Sequence, residues 1–233
     1  MSLFGLDAAA VLLRVHAAGR PPGIPSFVRS CLVGTAGFTV ASLVVYGSWA
    51  LHGRAMYGRI GEGGAYGVWA AVFILLAGAT LNPIVIGPGS LRRFYALFAT
   101  AFTAYALCWS ASWFLVRGRT GEWLGSFVGP AVLGAILCAG FGLKEGRWKV
   151  IVVLFVLHSA GYFLGSILFD FFRGVNEHHW LHQYLDRPTR SWVAKLSWGF
   201  AHGIGLGAGL GYALYICQSN VRELIGEQGN LEK

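Results

Sequence analysis

Apolar residues run through most of this chain in long unbroken stretches, and polar residues are confined to the short gaps between them. A helix crossing a hydrocarbon layer of about 30 Å needs about 20 residues. Six stretches are that long: 28–51, 66–86, 94–116, 123–143, 150–172 and 192–217. None alternates in the manner of a barrel strand, so the pattern predicts an all-α polytopic bundle of about six transmembrane helices. Short gaps at 52–64, 87–93, 117–122 and 144–149 make neighbouring spans antiparallel and define one unit over 28–217. Only the gap 173–191 is long.

The two ends read differently. Residues 3–18 form a short amphipathic stretch suited to lying in the membrane interface, and Pro21, Pro22 and Pro25 separate it from the first span. Segment 1–27 is therefore an interfacial unit. Its order of charge, with Asp7 before the apolar run and Arg14 and Arg20 after it, is the reverse of a signal peptide. Segment 218–233 reads as a polar, partly frayed tail.

Composition agrees with a lipid solvent. Of 233 residues, 55% are hydrophobic and 12% charged, about half the charge of a soluble domain. The net charge of +8 is spread in small groups between spans, which favours anionic headgroups over nucleic acid as partner. Basic residues number ten on the side of the termini and eight on the other, a bias toward cytoplasmic termini. The nine tryptophans fall mostly near predicted span ends, where interfacial aromatics belong. Cys31, Cys108, Cys138 and Cys217 lie in or beside apolar runs without a CxxC pair, as small hydrophobes do.

Spans one and three end on related motifs, S-W-A-L-H-G-R at 48–54 and S-W-F-L-V-R-G-R at 112–119. Acidic residues follow at Glu62, Glu122 and, after Arg173, at Glu177. A bundle of three two-helix hairpins would give this pattern, as would chance in a chain rich in Gly, Trp and Arg.

Four segments carry candidate chemistry. His158 and His202 sit at similar depth on consecutive spans. They are candidate axial ligands for haem, pigment or metal, or a hydrogen-bonded pair joining two helices. The long gap contains His178, His179 and His182. If it is helical, His178 and His182 share a face at metal-ligand spacing, and Asp170 can add a carboxylate for a divalent metal. An interfacial turn anchored by Trp180 and Tyr184 is the plainer alternative. Gly199, Gly203, Gly207 and Gly211 form one bare face of span six, and Gly205 and Gly209 a second, for packing against partner helices. Asn82–Gly89 holds two prolines and two glycines, which end the second span or unwind it into a binding site.

Three functions fit these residues. One is a small transporter or channel component for a neutral or lipophilic solute, since no span carries a coupling carboxylate at its middle. Another is a non-catalytic subunit that packs partner membrane proteins, a second copy of itself, lipid, haem or pigment. The third is an intramembrane enzyme built on the histidine cluster.

Overall fold

The computed structural model describes residues 3–19, 22–174 and 180–231, the side chains of 228–231 excepted. Every regular element among them is helical. In chain order these are α1 (Ala8–Ala18), α2 (Phe27–Leu81), α3 (Ser90–Val116), α4 (Gly118–Gly140), α5 (Arg147–Arg173), α6 (Arg187–Cys217) and α7 (Ser219–Leu231). Short 3-10 turns lie at Asn82–Ile84 and Trp180–Gln183. Five helices, α2 to α6, are long and apolar enough to cross a membrane. Their outward faces carry large exposed side chains, such as Leu75, Leu107 and Ile167 at 62%, 66% and 66% exposure. Lipid is the solvent that covers such a belt without cost.

The first of the five is a hairpin. Gly61 has φ 71° and ψ 174°, far from helical values. In one straight rod residues 38 and 73 would stand about 50 Å apart, at about 1.5 Å per residue. Instead the Phe38 ring stacks on Phe73 with centroids 5.2 Å apart. The Trp69 indole N–H also donates to Ser48 Oγ at 3.1 Å. The arms 27–60 and 62–81 therefore run antiparallel, and together with α3 to α6 they make six apolar helical segments. The expected loop over 52–64 is helical up to a single hinge residue. Arg54 and Arg59 are good helix formers, so the helix continues until a residue able to take positive φ turns it.

The hairpin of α3 and α4 closes the same way, but on an arginine. Arg117 has φ 54° and ψ 170° and is the one non-glycine residue at positive φ among those described. That region is nearly closed to side chains, at a cost of about 1–3 kcal/mol. Glycine would release that cost but add about 0.4–1 kcal/mol of unfolded-state entropy. It would also lose the exposed guanidinium contact with Phe114 at 5.8 Å, worth about 0.5 kcal/mol. Arg117→Gly is expected to stabilise the protein by about 0.5–1 kcal/mol, read as a higher unfolding midpoint in detergent. A lower midpoint would mean that the arginine holds the tip together.

α5 and α6 form the third hairpin. Asp186 caps α6 by accepting the Thr189 N–H at 3.0 Å. Hydrogen bonds from the Thr189 side chain and backbone hold its carboxyl below the usual range. α6 is the centre of the bundle, with the first arm of α2 on one side and α5 on the other.

The interfacial end is more ordered than its composition promises. The segment read as a polar tail contains α7, whose Val221 packs with Val11 of α1 and with Ile86. Apolar residues at Val221, Leu224, Ile225 and Leu231 make a weak signal, but they suffice on a prepared surface. The Asn82–Gly89 exit has its freed backbone groups taken up inside the protein. The Gln218 side-chain amide donates to Ile84 O at 3.0 Å and accepts from Ile86 N–H at 2.6 Å. Arg14 Nε donates to Pro88 O at 3.1 Å.

Candidate functional site

Glycines on α6 set the site by letting three helices approach closely. A Cβ at Gly199 would lie 2.7 Å from Tyr46 Cβ, and one at Gly203 would lie 2.6 Å from Thr39 Cα. One at Gly207 would lie 2.6 Å from Gly34 O, and one at Gly211 would lie 2.8 Å from Cys31 Cα. This face meets the first arm of α2. Gly205 faces α5, where its Cβ would lie 2.8 Å from Gly161 Cα.

Such close backbones bring the two mid-span histidines into contact. The rings of His158 and His202 meet edge to face with centroids 5.5 Å apart. His158 Nε2 lies 2.8 Å from the Tyr105 hydroxyl. His158 is wholly buried, and its Nδ1 has no hydrogen-bond partner. His202 Nδ1 lies 3.5 Å from Ser42 Oγ, which itself donates to Gly199 O at 2.7 Å. Rings in direct contact leave no gap for a flat macrocycle, so a haem sandwiched between His158 and His202 does not fit this arrangement.

Beside the histidines lies a cavity of about 570 Å³. Its deep end is formed by His202, Tyr105 and Tyr162, at 6%, 8% and 6% exposure, together with Trp198. Tyr46, Trp49 and Trp69 form one wall. Ala70 and Ile74 on the second arm of α2 and Ala106 on α3 line the cavity beside the exposed residues Gly67, Ala71, Thr103 and Leu107, so it reaches the surface between these two helices. Leu107 at that opening lies on the outer apolar face. No Lys, Arg, Asp or Glu lines the cavity among the described residues. Its polar atoms are hydroxyls, indoles and one imidazole.

The cluster in the long gap is placed only in part. His178 and His179 lie outside the described residues. His182 Nε2 lies 3.1 Å from Gly174 O and so donates its proton there. Asp170 is exposed on α5. No group of three or more His, Cys, Asp or Glu side chains suited to a metal occurs among the described residues.

The aromatic lining is what sequence reasoning missed. Several tryptophans taken as interfacial anchors face inward: Trp69 is 7% exposed, and Trp49, Trp109 and Trp198 line the cavity. A usable signal existed in the helical spacing. Tyr162 follows His158 by four residues, and Trp198 precedes His202 by four, which puts each pair on one helix face.

Fold and site together define an all-α bundle with membrane-length apolar helices and an uncharged, aromatic, laterally open cavity. No known family profile, curated protein or solved structure matches this chain.

Proposed function

We propose that this chain is an integral membrane protein that takes up a neutral lipophilic molecule from the bilayer, as a small carrier for such a solute must. The observation that carries this reading is the uncharged aromatic cavity opening sideways between the second arm of α2 and α3. Its volume lies in the range of about 300–1,000 Å³ typical of small-molecule sites. A charged ligand would enter without a counter-charge, at a desolvation cost that neutral molecules avoid. The slight excess of Lys and Arg on the side of the termini favours a cytoplasmic location for both in this reading.

Tryptophans on the wall supply the test. Butylpyrene is a neutral probe that accepts energy from tryptophan. In detergent-purified protein, energy transfer is expected to saturate. It should weaken at least roughly tenfold in Ala70→Phe/Ala106→Phe, whose two rings fill the opening. Pyrenebutyrate, the anionic analogue, should bind more weakly than butylpyrene. Transfer that rises without saturation, or is equal in the filled variant, would overturn the proposal.

A further inference from the structure

The deep end of the cavity presents one hydrogen-bond acceptor and one donor, and the surrounding network fixes which is which. Ser42 has a single hydroxyl hydrogen, and it is spent on Gly199 O at 2.7 Å. Toward His202 its oxygen can therefore only accept, so the 3.5 Å contact is a hydrogen bond only when the His202 proton is on Nδ1. A neutral imidazole protonated on Nδ1 keeps its lone pair on Nε2. His202 is 6% exposed and stands on the cavity wall, so that lone pair belongs to the cavity end of the bundle.

Tyr105 is assigned by the same counting. His158 Nδ1 is buried without a partner. If Tyr105 donated to His158 Nε2, the Nδ1–H would be a buried donor with nothing to bond. If Nε2–H donates to the Tyr105 oxygen at 2.8 Å, Nδ1 is only an unfilled acceptor. The donor left over in that case is the Tyr105 O–H, which lies on the cavity wall where a ligand or water can accept it, whereas a buried Nδ1–H off the cavity could reach neither. The second arrangement leaves the hydroxyl hydrogen of Tyr105, itself on the cavity wall, free to donate.

Resting on the proposed function, we infer that the ligand is a lipophilic alcohol or phenol. Its hydroxyl donates to His202 Nε2 and accepts from the Tyr105 O–H. A ketone or ether can only accept, and it leaves the imidazole lone pair buried and unfilled. A hydrocarbon meets neither group.

Pyrenylbutanol and its methyl ether form the matched pair of probes, read by energy transfer from tryptophan in the full-length protein. The alcohol is expected to bind about tenfold more tightly than the ether. In His202→Phe that preference should shrink to roughly threefold or less while ether affinity is kept, which shows that the cavity is intact. Tyr105→Phe, which deletes one oxygen, should also reduce the preference. Equal binding of the two probes to the wild-type protein, with both lost in Ala70→Phe/Ala106→Phe, would overturn the hydroxyl assignment and leave the cavity reading standing. A preference unchanged in His202→Phe would likewise overturn the assignment. Failure of both probes to saturate would overturn both.

Discussion

Gly207→Ala is expected to lower stability by about 3 kcal/mol. The new Cβ would sit 2.6 Å from Gly34 O and 3.0 Å from Phe38 Cβ. The nearest obstacle is backbone, which has no rotamer to change, so α6 and the first arm of α2 must separate. Separation weakens the contacts of Gly203 and Gly211 on the same face. The same substitution at Gly58 should have the opposite sign. Gly58 lies within α2 and meets nothing within 4 Å, so alanine there gains about 1 kcal/mol of helix propensity. Unfolding in mixed micelles, followed by tryptophan emission, measures both. Equal effects would mean that the glycine face is not the seam of the bundle.

Gln218→Leu is the second large loss, again about 3 kcal/mol. The side chain is 1% exposed and bridges the exit turn after α2 to the end of α6. Leucine fills the space but leaves Ile86 N–H and Ile84 O buried without partners, at about 1–3 kcal/mol each. Since α1, α7 and the exit turn share this contact region, the variant should also become sensitive to proteases at 82–89. A loss below about 0.5 kcal/mol would show that water replaces the amide.

The helices themselves were legible because lipid imposes one crude rule, a continuous apolar run about 20 residues long. That rule says nothing about where a helix stops once it leaves the hydrocarbon. The extensions over 52–60 and 187–191 were therefore invisible, as were the tight turns at Gly61 and at Arg117–Gly118. It is equally silent on which side of a helix faces inward, because lipid and core are both apolar. Trp109 and Trp198 consequently read as anchors at the interface. α7 was missed for a different reason: its few apolar residues gain their value only from the surface formed by α1 and Ile86.

At the site, depth was readable and chemistry was not. His158 and His202 stand at matching positions in their spans, and their contact follows from antiparallel neighbours. Their hydrogen-bond roles depend on Ser42 and Tyr105, which lie 160 and 53 residues away from them in the chain. The cavity exists because the second arm of α2 and α3 leave a gap lined by alanines and aromatics. No spacing within one helix encodes a gap between two.

Photo-crosslinking in membranes addresses the cavity most directly. A pyrenylbutanol derivative carrying a diazirine would be irradiated with membranes containing the protein, and the labelled residues mapped by mass spectrometry. Labelling is expected at Tyr66, Ala70, Ala106 and Trp109, and excess unlabelled pyrenylbutanol should suppress it. Label scattered over outward residues such as Leu164 and Ile167, and unaffected by competitor, would contradict a binding cavity and leave a bundle that merely contacts lipid.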